Sequence, residues 1–409
     1  MANTNSSTTY ATALPRSAAS AGISRGLVLL FAVSCGLAVG NIYYAQPLLE
    51  TLGQAFHASH SLVGLIVTMT QIGYAIGLLF IVPLGDLIEN KKLILLVFCG
   101  TIGSILLAAF SPGIRLFFVA SLLIGITSVV AQVLIPLAAA LTPAEKRGQV
   151  VGQIMSGLLL GILFARAVAG FIAGAFGWRT VYFASAGFLL LLIAVLAKTL
   201  PARKPAFGGT YRELLGSLYH IFRNEPVLRR RAAYQTAMFA SFSSFWTTIT
   251  FLLAGPTFRF TQTQIGFFAL AGAAGAIVAP LAGRLGDRGY QRPATGTAFI
   301  VAIVGYLITL HAAHWWVLVV AAIVIDASVQ TTLVCGQQMI YNLHPDQRSR
   351  LNTLFIATFF LGGALGSAIA SWAYDRIGWN AVILIGVGLA LMALAYWLTE
   401  RKMVATRVG

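Results

Sequence analysis

The sequence is short of charge: only 9% of its 409 residues are Asp, Glu, Lys or Arg, against roughly a quarter in soluble domains. A chain so poor in charge cannot cover itself with a hydrated surface, and a soluble globular protein is excluded. Acids are scarcer than bases, 11 against 27, which leaves a formal net charge of +16. Cysteine is scarce too. Cys35, Cys99 and Cys335 all lie in apolar stretches, where a free thiol behaves as a small hydrophobe, so neither a disulfide framework nor a cysteine metal site follows. The chain has no G-x-x-x-x-G-K-[ST] phosphate loop and no polar segment long enough for a nucleotide-binding domain, which argues against an ATP-driven pump and against an enzyme of that class.

What is present is hydrocarbon. Hydrophobic residues make up 58% of the chain and the mean hydropathy is +0.85. About twenty apolar residues cross a bilayer core of about 30 Å, and twelve such runs lie between Gly26 and Leu398. The fold class expected is an all-α polytopic membrane protein. All but five of the 27 bases fall in the N-terminal tail, the even-numbered loops or the C-terminal tail. Of the five, Arg115, Arg179, Arg259 and Arg376 lie in odd-numbered loops and Arg166 lies inside a span. This is the positive-inside asymmetry rather than a nucleic-acid footprint. It predicts a cell inner (cytoplasmic) membrane protein with both termini cytoplasmic and no nucleic-acid partner.

The chain is written twice. Leu84-Gly85-Asp86 returns as Leu285-Gly286-Asp287, Leu141-Thr142-Pro143 as Leu343-His344-Pro345, and Gly177-Trp178 as Gly378-Trp379, each about 201 residues on. Parallel repeats of six helices are a plan used by secondary transporters, with the substrate site near the midplane between the halves. The expected domains are a disordered tail (1–24), a first bundle (25–200), a cytoplasmic linker (201–231), a second bundle (232–399) and a short C-terminal tail (400–409). In the linker Tyr211, Leu214, Leu215, Leu218, Tyr219 and Phe222 recur at helical spacing, which predicts an amphipathic helix lying at the interface.

Two ionisable side chains lie deep in spans, Arg166 in the fifth and Asp326 in the tenth. A charge near the bilayer centre costs about 2.5–3.5 kcal/mol on insertion scales, so such residues are functional candidates. From the helix rise they lie roughly 12 and 16 Å from the outer ends of their helices. At similar depths they either pair across the halves, as a static or a functional pair, or Asp326 carries a proton whose binding is tied to the approach of Arg166. An outward-snorkelling Arg166 is the structural alternative. The pairs His57/His60 and His311/His314 have a spacing that metal ligation would use, but read as ordinary loop histidines, and no metal is expected.

The loops GDLIENKK and GRLGDRGYQR resemble the two copies of the signature G-x-L-x-D-R-x-G-R-R of the major facilitator superfamily. That resemblance implies two pseudo-symmetric six-helix bundles, alternating access and, by size, a drug/metabolite:proton antiporter. It also implies a conformational latch at Gly85, Asp86, Glu89, Lys91 and Lys92 and at Gly283, Asp287 and Arg288, where an acid gains and loses amide and arginine hydrogen bonds between states. Helices 1, 4, 7 and 10 line the cavity in that family, so Asn41, Tyr44, Gln46, Gln132, Tyr234, Gln235, Trp246, Gln330 and Gln337 are the candidate substrate contacts. The departures are Leu87 where an Arg is expected, Ser121 where such antiporters often carry an Arg, and a fifth helix with Arg166 and no Pro.

The reading reached is a monomeric exporter of small organic, drug- or metabolite-like molecules (multidrug efflux), in exchange for protons, with no cofactor beyond the proton gradient. Alternatives are an organic-anion or sugar transporter with Arg166 as anion clamp and, from another class, a non-transporting membrane sensor.

Overall fold

The computed structural model describes residues 23–205, 209–344 and 347–406; the expected disordered tail therefore lies almost wholly outside the described residues. Among these, twelve helices are long and apolar enough to cross a membrane. The first six are α1 (Arg25–Phe56), α2 (His60–Asp86), α3 (Asn90–Ala109), α4 (Ile114–Ala140), α5 (Glu145–Phe176) and α6 (Trp178–Thr199). A short helix α7 (Tyr211–Asn224) follows. The second six are α8 (Pro226–Ala254), α9 (Gln262–Asp287), α10 (Gln291–Leu310), α11 (Trp315–Tyr341), α12 (Arg348–Ile377) and α13 (Trp379–Glu400).

Several helices outrun their apolar runs, because a helix does not stop where hydrocarbon does. The fifth begins in the charged Glu145-Lys146-Arg147, and the first continues to Phe56 after an irregular stretch at Asn41–Tyr44. The repeated Gly-Trp landmark has a backbone cause. Gly177 (φ 85°) and Gly378 (φ 89°) both take a left-handed conformation at the sharp turn into the next helix, a conformation that costs glycine little.

Helix α7 is amphipathic as its spacing predicts. A reciprocal capping box joins Thr210 and Glu213 at its start, and Leu214, Leu218 and Ile221 are its buried face. The Tyr211 hydroxyl donates to the Phe80 carbonyl at 2.8 Å, and the Asn90 amide donates to the Arg203 carbonyl at 3.1 Å. The linker is therefore fastened to the first bundle.

Two helix pairs related by the repeat dominate the seam between bundles, α2 with α12 and α5 with α9. Their closest approaches are equivalent as well. Gly64 faces Ser371, and Gly170 faces Gly266, where a Cβ on Gly170 would stand 2.6 Å from the Gly266 Cα. Small residues let backbones meet in a membrane, where apolar surface alone drives no helix association. Thr68 and Ser367 hydroxyls, 2.8 Å apart, add a polar bond at the same seam.

The two faces of the bundle differ. On the face away from α7 the halves are tied together: Thr51 donates to Gln262 Oε1 at 2.6 Å, Gln262 donates to the Pro47 carbonyl, and His60 lies between Glu50 (3.2 Å) and Asp375 (3.6 Å). On the α7 face a cavity of about 250 Å³ opens between the halves, lined among others by Asp86, Gln132, Arg203, Leu218 and Arg350.

Candidate functional site

The buried charges of the sequence meet at the seam near mid-bundle. Arg166, 3% exposed, projects from α5. The irregular stretch Asn41–Tyr44 in α1 turns Tyr43 toward it, and the guanidinium lies 4.5 Å from the Tyr43 ring and 4.8 Å from the Trp246 ring of α8. These are cation–π distances. Its Nε donates to Gln46 Oε1 at 2.7 Å, while Nη2 is buried with no hydrogen-bond partner.

Asp326, 6% exposed on α11, accepts a 2.8 Å hydrogen bond from the Trp246 indole N–H through Oδ1. Phe242 and Phe268 extend the aromatic wall around Trp246. Among the described residues Arg166 and Asp326 form no direct ion pair. They face a common point instead: the position a Cβ would take on Gly272 lies 2.8 Å from Asp326 Oδ2 and 3.7 Å from Arg166 Nη1. Gly272 ends a 3-10 turn, Ala269–Gly272, that interrupts α9. Irregular backbone at membrane depth is tolerated where it is enclosed by protein, and here two such interruptions, in α1 and α9, border one site.

The other candidates divide into groups. Gln46, Trp246, Arg166 and Asp326 come together as described, and Gln330 lies beside them next to Gly275. Asn41 is turned into the first bundle, where its Oδ1 accepts from Ser185, and Tyr44 is buried nearby. Gln132 and Gln337 belong to a second cluster across the halves, joined through Asn352: Gln337 Nε2 donates to Asn352 Oδ1 at 3.1 Å, and Asn352 Nδ2 to Gln132 Oε1 at 3.5 Å. Gln235 accepts from Thr332 inside the second bundle. Tyr234 departs from the expected placement. Its hydroxyl accepts from Arg230 and donates to Glu400, and its ring packs on Phe299 and Tyr396, because this face of α8 turns toward α10 and α13 and away from the seam.

The latch candidates also separate. Asp86 and Gly85 line the cavity on the α7 face, and the charge that confronts Asp86 is Arg350 of α12, from the other half. Lys91 and Lys92 lie in the first turn of α3, and Lys92 lies 4.0 Å from Glu89. In the second copy Gln338 of α11 donates to both the Gly283 carbonyl (3.0 Å) and Asp287 (3.1 Å), while Arg288 caps the end of α9. One copy thus faces across the halves and the other is held within its own. His60 contacts carboxylates as described, and the side chain of His311 lies outside the described residues.

Tyr43, Phe242, Gly272 and Arg350 are not among the candidates that the sequence offers. Nothing local in the sequence marks a glycine or phenylalanine as facing a charge on another helix. A base just after the Leu343-His344-Pro345 landmark was the one available signal for Arg350.

A family model described as Major Facilitator Superfamily matches residues 28–288 and 233–408. The chain belongs to this superfamily. Among its relatives, the "Uncharacterized transporter YgaY" of Escherichia coli O157:H7 is 42% identical over 377 residues, covering 92% of this chain and 95% of that one. The "Probable transporter SCO4007" of Streptomyces coelicolor is 31% identical over 371 residues, 89% of this chain and 85% of the relative. A solved bacterial homolog of the human lysosomal transporter Spinster, in an inward-facing and occupied conformation, superposes with a TM-score of 0.74 at 13% identity, over 92% of this chain and 96% of that one. The two bundles are thus those of a facilitator-superfamily transporter, a multi-pass membrane protein that moves a small molecule. In this facilitator the Arg166–Trp246–Asp326 cluster lies at the seam between the halves: Arg166 is contacted by Tyr43 and Gln46 of its own half and by Trp246 of the other, while Asp326 accepts from Trp246 of its own half.

Proposed function

We propose that this transporter exports small organic molecules in exchange for protons across the inner membrane, with both termini cytoplasmic, and that Asp326 is its proton carrier. The observation that carries the reading is the separation of Asp326 from Arg166 at the seam. A carboxylate locked to an arginine would be a static pair, whereas one held by a neutral indole 2.8 Å away is free to exchange a proton when the halves move. Burying both charges would cost several kcal/mol per ion without close pairing, which favours a functional reason for keeping them. Arg166, on the first half, and Asp326, on the second, change their mutual distance whenever the halves rock, and that change couples protonation to access. The direction of charge on the loops supports cytoplasmic termini. The α7 face, where the cavity of about 250 Å³ opens, is then the cytoplasmic one, and Asp86 with Arg350 forms its latch.

The test is a proteoliposome assay with an imposed pH gradient, comparing wild type with Asp326→Asn across drug-like, sugar and carboxylate substrates. Gradient-driven transport is expected to be lost in the variant. Full proton-driven transport by Asp326→Asn would overturn the assignment.

A further inference from the structure

The central cluster holds two opposite charges apart and leaves each one a free hydrogen-bonding edge. Arg166 has one acceptor, the neutral Gln46 amide at 2.7 Å, and a buried Nη2 without any partner. Asp326 has one donor, the neutral Trp246 indole on Oδ1, and its Oδ2 points to the notch over Gly272 that Arg166 Nη1 also borders. The Tyr43 and Trp246 rings lie 4.5 and 4.8 Å from the guanidinium carbon, and the unpartnered Nη2 is the edge that remains for a ligand. The walls beyond are aromatic: Phe242, Phe268 and Trp246.

A ligand that satisfies both edges carries an anion and a cation side by side. With Asp326 ionised, a lone carboxylate would leave it uncompensated and add a like charge beside it; a lone ammonium would do the same to Arg166. A neutral polyol would hydrogen-bond both groups but neutralise neither, in a site where desolvated charge is costly. We propose that the transported molecule is a zwitterion, an α-amino acid with an apolar or aromatic side chain. Its carboxylate sits on the free Arg166 edge, its ammonium on Asp326 Oδ2 over Gly272, and its side chain against the aromatic wall. This rests on the reading of the cluster as the transport site. It also accounts for exchange, because the ammonium occupies the oxygen that a proton would take. The other ionisable groups facing Asp326 are Arg166, Tyr43 and Tyr306.

The inference is tested by equilibrium binding, without a gradient and at fixed pH, on the purified full-length chain in nanodiscs. Radiolabelled L-leucine and L-phenylalanine are the probes. Competitors are 4-methylpentanoate and 3-phenylpropanoate, which lack the ammonium, 3-methylbutylamine and 2-phenylethylamine, which lack the carboxylate, and glucose. At least one amino acid is expected to bind, with each half-analogue weaker by about tenfold or more, the loss expected for one charged hydrogen bond. Gly272→Ala, whose methyl would intrude on Asp326 Oδ2, is expected to weaken amino-acid binding about tenfold or more.

No amino-acid binding overturns the inference, as does a half-analogue or glucose that binds as well as the zwitterion. The competition series uses wild-type protein, so it decides the question even if Gly272→Ala does not fold. Amino-acid binding without gradient-driven exchange would sink the proton-coupling reading and leave this one standing. Proton-driven exchange of another compound, with no amino acid bound, would do the reverse.

Discussion

Arg166 and Asp326 confront each other across the seam without touching, and Trp246 holds both: its indole N–H donates to Asp326 at 2.8 Å, and its ring lies 4.8 Å from the guanidinium. Two opposite buried charges left to themselves would collapse into an ion pair. The indole and the Gln46 amide prevent that by giving each charge a partner of its own.

Trp246→Phe keeps the ring and removes the N–H. A hydrogen bond to a charged group is worth about 1.5–3 kcal/mol, so proton-driven transport should fall roughly ten- to a hundredfold. Wild-type proton-driven transport by Trp246→Phe would show that the indole bond to Asp326 is dispensable.

Arg166→Lys retains the charge but gives up the planar guanidinium's contacts with the Tyr43 and Trp246 rings and the Nε bond to Gln46. Lysine does not replace arginine at such a site. Transport rates are expected to drop at least about tenfold, a loss of one charged hydrogen bond. Wild-type rates in this variant would mean that charge alone suffices.

Gly170→Val should prevent closure of the face away from α7, because a Cβ at Gly170 would already stand 2.6 Å from the Gly266 Cα. The readout is a Thr51→Cys/Gln262→Cys pair in a background with Cys35, Cys99 and Cys335 replaced. These two side chains meet at 2.6 Å, so a short bifunctional thiol reagent should cross-link them and arrest transport. Adding Gly170→Val should abolish the cross-link, and an undiminished yield would show that the glycine contact is dispensable.

Glu400→Gln tests the anchor at the end of the second bundle. Arg231 is 3% exposed and pairs with Glu400, and its Nε and Nη1 have no partners of their own. Removing one member of a buried pair strands the other, at a cost of about 3 kcal/mol or more. The apparent melting temperature in detergent should fall by several degrees, with the transport rate per folded molecule little changed.

Much of the architecture was legible in one dimension. Hydropathy counts the spans, since a bilayer demands about twenty apolar residues wherever a helix crosses it, and the recurrence of Gly177-Trp178 as Gly378-Trp379 exposes the duplication because both glycines must turn left-handed. The 3.6-residue recurrence of Leu214, Leu218 and their neighbours predicts α7 for the same local reason. Depth along a helix also follows from counting, which is why Arg166 and Asp326 were matched.

Which side chains share a site was decided only by packing. Tyr234 and Trp246 lie on one helix, twelve residues apart and so about 120° apart around its axis, but only packing decides that one faces α13 and the other the seam. The same holds for Asp86, whose opposing charge proved to be Arg350 on the other half rather than the lysines beside it in sequence. Tyr43, Phe242 and Gly272 reach the site because two helices break at that depth and a third presents one face. The sequence determines the number, order and kinship of these helices, for those depend on local hydrophobicity and backbone conformation. The tertiary structure alone decides their rotation and contacts, because these depend on surfaces hundreds of residues apart meeting across a seam.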